Sequence, residues 1–276
     1  MMRRWRKRLF EGSILLLALV YSIPLYLIVV NSLKTNPQIQ QRPLALPDFS
    51  AGFDNFVRAS QAMEIFKAYV VTFSIAALSL IYIIFFASMA AYAIARINHW
   101  FFRSIYWFYV SLILMPVQAA FIPLIFVLKK FHLYNNLFGI SMVYVGVMSS
   151  FAIFMFVGFI RGISLELEEA AKIEGCSTLR LFLQIVFPLL KPISATLFIF
   201  QFVHIWDDLL LPLVLLTSNK YPTVTLSLYK FFGDLGQTDL SLLFGGFILV
   251  LAPVIVLFLF LQRYFISGLQ AGALKG

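Results

Sequence analysis

Two groups of acidic residues stand out for the company they keep. Asp207 and Asp208 follow Trp206 about fifteen residues into an apolar run that starts near residue 192. At about 1.5 Å per helical residue, that is roughly 22 Å along the run. Carboxylates at such depth are costly, and they face a cavity, a partner or the interior of a helix bundle. Gln118, between Pro116 and Pro123, is the other polar side chain set deep among apolar neighbours. Such groups can exchange hydrogen bonds with a polar solute or with a second subunit. A helix break ahead of Pro212, held by local hydrogen bonds, accounts for the same pattern at Trp206, Asp207 and Asp208, and both readings stay open.

The second group, Glu166, Glu168, Glu169 and Glu174, lies in a polar stretch between apolar runs. None of these residues falls in a pattern that does covalent chemistry. The chain has no Gly-x-x-x-x-Gly-Lys-Ser/Thr phosphate loop and no HExxH or GxSxG signature. Its single cysteine, Cys176, excludes an internal disulfide, and His99, His132 and His204 show no ligand spacing. The expectation is a protein with no catalytic residues, no metal site and no cofactor of its own.

The elements that carry these residues are set by composition. Of 276 residues, 62% are hydrophobic and only 12% charged. An aqueous domain averages about 25% charged residues, so much of this apolar surface must face lipid. A helix needs about 20 apolar residues to cross the hydrocarbon layer. The runs predict an all-α, polytopic membrane protein with about six transmembrane helices in a single domain, 1–276. The spans fall at 12–33, 68–95, 104–128, 137–160, 192–216 and 240–262, with a loop at 161–191. Met115-Pro116 and Ile122-Pro123 should kink the third span, because each proline removes a backbone donor. The fifth is interrupted at Asp207-Asp208.

Orientation follows from the basic residues. With the N-terminus inside, inner segments hold thirteen Lys and Arg and outer segments hold eight. This favours both termini in the cytoplasm. The bias is strongest at the start, where Arg3, Arg4, Arg6, Lys7 and Arg8 precede the first run. That run is longer than a signal-peptide core and lacks a small-residue cleavage site, so it reads as an uncleaved first helix. A net charge of +9 placed between apolar runs fits lipid headgroups rather than nucleic acid.

The inner loop 161–191 then reads as helix, glycine, helix. Ser164 can cap the first helix, with Glu166 in its first turn complementing the dipole. Gly175 suits its end, and Ser177 can cap a second short helix that stops near Pro188. Leu167, Ala170, Ala171 and Glu174 share one face of the first helix, with Glu168, Glu169 and Glu174 expected to supply charge at its edge.

Glu169-Ala170-Ala171, three residues, Gly175, nine residues, Ile185, one residue, Phe187-Pro188 resembles the "EAA" loop of binding-protein-dependent ABC importer permeases. Phe187 stands where that family usually has leucine. The resemblance implies that 165–175 is a coupling helix that docks into a cleft on a separate ATPase subunit. Glu168, Glu169, Ala170, Ala171, Gly175, Ile185 and Pro188 would be the coupling residues. It further implies a second, different permease, two ATPase subunits that bind ATP and Mg, an extracytoplasmic solute-binding protein, and the inner membrane of a prokaryote.

Further matches are to the carbohydrate importers. They include Ala90-Ala-Tyr-Ala-Ile-Ala-Arg96, Met115-Pro116, Ile122-Pro123-Leu124, Leu133-Tyr-Asn-Asn136 and the tail 262–276. The likeness is to the smaller permease of maltose-type sugar transporters and covers nearly the whole chain. Asp207 replaces the family's usual asparagine, and Val71-Thr72 stands where many relatives have Asn-Ser. The resemblance leaves Gln118, Trp206, Asp207 and Asp208 as residues of a solute path or subunit contact. It also points to the outer loop 217–241 as a surface for the binding protein. Importers of amino acids, peptides or oxyanions share the loop signature, and a six-helix channel or membrane-embedded enzyme is the rival of another class.

Overall fold

The structure, a computed structural model, describes residues 2–49, 51–217, 219–232 and 239–273, with the backbone alone at 2–9 and 261–273. Part of the outer loop 217–241 (Ser218 and 233–238) and the last three residues of the tail therefore lie outside the described residues. The long helices are α1 (Met2–Asn31), α2 (Ile65–Arg96), α3 (Trp100–Ile113), α4 (Val117–Lys130), α5 (Leu137–Ile160), α6 (Leu165–Ile173), α7 (Thr178–Leu189), α8 (Lys191–Asp207) and α9 (Leu240–Ala273). Among the described residues there is no strand.

Four of these are long and apolar enough to cross a membrane by themselves: the Phe10–Asn31 part of α1, α2, α5, and Leu240–Phe260 of α9. Two bent pairs, α3 with α4 and α7 with α8, also qualify if each pair is one span. The α3–α4 bend is 101°, far beyond the kink expected from the sequence. The two prolines act differently. Pro116 sits in extended backbone after α3, and a 3-10 turn, Val117–Ala120, follows it. Pro123 falls in the first turn of the helical run from Phe121, where its missing N–H has no intrahelical partner to lose.

The described residues form two compact units, 1–66 with 227–253, and 67–226 with 254–276. In the first unit, α1 is exposed at every position from 10 to 26 and so on every side, as lipid contact requires. The loop after α1 is fixed by Lys34, whose side chain is fully buried. Its Nζ donates to Asn31 Oδ1 (3.1 Å), Arg42 O (2.9 Å) and Pro43 O (3.1 Å). Burial lowers the Lys34 pKa. Asn55 Nδ2 closes the same loop by donating to Ser32 O and Lys34 O.

In the second unit, α5 is the central helix, packed against α2, α3 and α8. Ile153, Phe156, Val157 and Ile160 are buried along it. Two π-helical turns interrupt this packing, Ile83–Ala87 in α2 and Phe182–Val186 in α7. The second immediately precedes Phe187-Pro188, where the proline supplies no donor to the turn before it. Edge-on contact of Phe85 with Phe187, 6.0 Å between ring centroids, joins α2 to α7.

Candidate coupling helix and polar cavity

The loop 161–191 folds as its cap residues dictate. Ser164 Oγ accepts from Glu166 N at 3.2 Å, and Ser177 Oγ accepts from Arg180 N at 3.4 Å. At the end of α6, Gly175 N donates to Lys172 O and Cys176 N donates to Ala171 O, both 3.0 Å. This is the paired bonding of a Schellman end, and it places Gly175 at φ +80°. A Cβ at Gly175 would meet no atom within 4 Å, so the need for glycine is conformational rather than steric.

The face that α6 presents differs from the sequence pattern at two residues, Glu168 and Ala171. Glu169, Ala170 and Glu174 are exposed, as are Leu165, Leu167 and Ile173, the last at 88%. Glu168 is not at the charged edge; it is turned inward and only 2% exposed. There it accepts from Arg96 Nε at 2.7 Å and from Tyr92 Oη at 2.9 Å. A second guanidinium nitrogen of Arg96 donates to Ile163 O at 3.0 Å, on the turn leading into α6. Ala171 is buried beside Glu168, Ile185 is half-buried and Pro188 is exposed. Tyr92 also packs on Phe182 of the π-helical turn, 5.5 Å between centroids.

Thus the outward face of α6 is exposed, while its inward face is bolted to the end of α2. Tyr92 and Arg96 are site residues that spacing alone does not reveal. The available signal was that both fall in the Ala90–Arg96 motif, four residues apart and so on one helix face.

The deep polar residues gather in part. Gln118, Asp207 and Asp208 line one cavity of about 370 Å³, together with Tyr144 and His204. Asp208 is held in place, since its Oδ2 accepts from Tyr144 Oη (2.8 Å) and its Oδ1 from Leu210 N (2.9 Å). Backbone at Asp208 is extended, which ends α8 there. The helix break and the cavity are therefore features of one place, and the two readings of this segment are not exclusive. Asp207, His204 and Gln118 are exposed. Trp206 is not part of this cavity: it is buried among Phe73, Phe202 and Tyr69, with centroids 5.0, 5.4 and 5.9 Å away. Tyr144 was missed by sequence reasoning, because only packing of α5 against α8 brings residue 144 to residue 208; His204 was missed although its position three residues before Asp207 on one helix offered the signal.

Among the described residues the chain is all-helical, with several candidate spans and an exposed, doubly capped polar helix between them, which is the build of a multi-pass membrane protein. Residues 83–270 match the family described as the binding-protein-dependent transport system inner membrane component, and the chain belongs to that family. It is 33% identical over 261 residues to the probable starch degradation products transport system permease protein AmyC of Thermoanaerobacterium thermosulfurigenes, covering 95% of this chain and 94% of that one. It is also 33% identical over 262 residues to the melibiose/raffinose/stachyose import permease protein MelC of Bacillus subtilis strain 168, again covering 95% and 94%. In fold it is similar to a chain of a bacterial ABC transporter involved in the import of the acidic polysaccharide alginate, with a TM-score of 0.81, 22% identity, and 95% and 97% of the two chains covered.

Proposed function

We propose that this chain is a permease subunit of an ATP-driven importer of mono- or oligosaccharides, working by alternating access. The relatives named for starch products and for melibiose, raffinose and stachyose support the solute class. The cavity at Gln118, His204 and Asp207 supports it chemically, since it offers both donors and acceptors to hydroxyl groups. In this reading the chain works as one permease domain with six spans, the bent α3–α4 pair crossing once and α8 carrying the fifth span after the inner loop 161–191, and both termini in the cytoplasm of a prokaryote.

The observation that carries the proposal is the two-sided build of α6. Its exposed Leu165, Leu167, Glu169, Ala170 and Ile173 would seat in a cleft of an ATPase partner, while Glu168 ties it to Arg96 and Tyr92. ATP and Mg would be bound by two such partners, as the chain carries no phosphate loop. When ATP draws the partners together, α6 is displaced, and the buried ion pair passes that displacement to α2. The energy is the preference of ATP for the closed partner dimer, because a ligand shifts only an equilibrium it binds differentially. A second, different permease and an extracytoplasmic binding protein complete the assembly.

The test is affinity purification of the tagged chain in mild detergent, with identification of what co-purifies, followed by solute-stimulated ATP turnover of the assembly in liposomes. A second permease and an ATPase, lost together on replacing Glu169 and Gly175, are the expected result. A chain that purifies alone, folded, and conducts ions would overturn the proposal in favour of a channel. Turnover stimulated by an amino acid, a peptide or an oxyanion, but by no sugar, would keep the coupling assignment and replace the solute.

A further inference from the structure

Three helices reach one level at a second cavity, about 500 Å³ in volume, that the transport reading does not use. The end of α2, the linker 97–99, the start of α3 and Arg161 after α5 form its walls. Arg96, Arg103, Arg161 and His99 line it, with Tyr106 and Trp107, and it has no carboxylate in its lining.

The charges here are of two kinds. Arg96 is neutralised by Glu168. Arg103 and Arg161 have no carboxylate partner among the described residues, and both are exposed. Arg161 lies over the Tyr106 ring, 5.3 Å from its centroid, which fixes one guanidinium at the rim. The N-terminal end of α3 adds a partial positive charge on the same side. Two unpaired guanidinium groups around one cavity are suited to a phosphate, whose oxygens match their paired donors.

Depth decides the source of that phosphate. The cavity sits where α2 and α5 end and α3 begins, which is the level of the headgroups for spanning helices. Trp100 and Trp107 are 71% and 62% exposed beside it, as aromatic rings at a membrane interface are. They offer apolar surface to an acyl chain attached to the phosphate. We infer that this cavity binds the phosphodiester headgroup of an anionic phospholipid, through Arg103 and Arg161. The inference requires only that these helices span a membrane, and it is independent of which face is cytoplasmic.

The test is native mass spectrometry of the full-length chain in mild detergent, with phosphatidylglycerol or phosphatidylcholine of identical acyl chains added. Phosphatidylglycerol should be retained in excess over phosphatidylcholine. That excess should fall about fivefold for Arg103→Gln or Arg161→Gln and roughly thirtyfold for both together. Arg180→Gln, outside the cavity, should leave it unchanged, and Arg103→Lys with Arg161→Lys should retain most of it. Equal retention of the two lipids, or an undiminished excess in a folded double glutamine variant, would overturn the inference. Displacement of phosphatidylglycerol by millimolar inorganic phosphate would replace a lipid site with a free-anion site. Should the glutamine variants not fold, a photoactivatable phosphatidylglycerol answers on the unmodified chain. Labelling within 96–107 and at 161 supports the site, and labelling elsewhere, or cross-linking of this cavity to a partner protein instead, sinks it.

Discussion

Lys34 and Glu168 are both buried charges, equally hidden from solvent at 2% exposure, yet they are stabilised in opposite ways. Lys34 is surrounded by uncharged acceptors, all within nine residues of it in the chain. Glu168 is met by a full positive charge and a phenol from 72 and 76 residues away. The lysine closes a loop on itself and needs nothing from elsewhere in the fold except a wall. The glutamate ties α6 to another helix and is neutralised only while the two stay together. One is a local staple, and the other is a joint between two helices.

The largest expected effect tests the joint. Arg96→Met leaves Glu168 buried without its countercharge, which costs about 3–5 kcal/mol for buried pairs. Thermal unfolding of the purified chain should show it, and adding Glu168→Gln should restore part of the loss. A cost no greater than that of Lys34→Met would remove the contrast between the two sites. Lys34→Met itself should cost less, about 1–3 kcal/mol for acceptors left unpaired, because its partners are carbonyls in a partly exposed loop. Its solute-stimulated ATP turnover should be normal in the folded fraction, whereas that of Arg96→Met should be lost.

Gly175→Val comes next, at about 1–2 kcal/mol for a branched residue forced into the left-handed region. Its damage should fall on coupling more than on membrane insertion, and normal solute-stimulated turnover would separate the shape of α6 from its function. Tyr92→Phe removes one hydrogen bond to Glu168 and should cost about 1 kcal/mol, with turnover reduced rather than abolished.

The smallest effect is one of pH, in the first unit. Burial pushes the Asp239 carboxyl up, but hydrogen bonds from Ser241, Leu242 N and Asn36, with the charge of Arg58, outweigh it and hold its pKa below the ordinary 3.8. A lowered carboxylate pKa contributes stability above the unfolded value and loses it as pH falls through the folded one. Unfolding measured below about pH 4 should therefore flatten in Asp239→Asn. An unchanged acid limb would show that Asn36 and Ser241 hold the segment without it.

The degree to which the chain could be read without its structure differs between these same places. The caps of α6 and α7 were legible because a cap depends on residues two or three apart, as at Ser164, Ser177 and Gly175. The long apolar helices were legible because length and hydropathy are properties of one segment. The 101° bend at Pro116 was not, since a proline permits a break without setting its angle. The inward turn of Glu168 was hidden for a related reason. On the helix pattern it belongs equally to an edge or to a buried seam, and only Arg96, on another helix, chooses between them. Likewise Asp207 and Asp208 are neighbours in sequence, but Tyr144 anchors the second and leaves the first facing the cavity.

The residues alone thus determined that this protein is helical, that it lives in a membrane, and that one capped polar helix stands between its spans. Those properties come from short-range bonding and from the cost of exposing apolar surface to water. Which glutamate is buried in an ion pair and which is exposed, and which deep acid is left open to a cavity, only the tertiary structure decided. A buried charge or a cavity wall is defined by groups that the chain brings together from distant segments, and local sequence carries no record of that meeting.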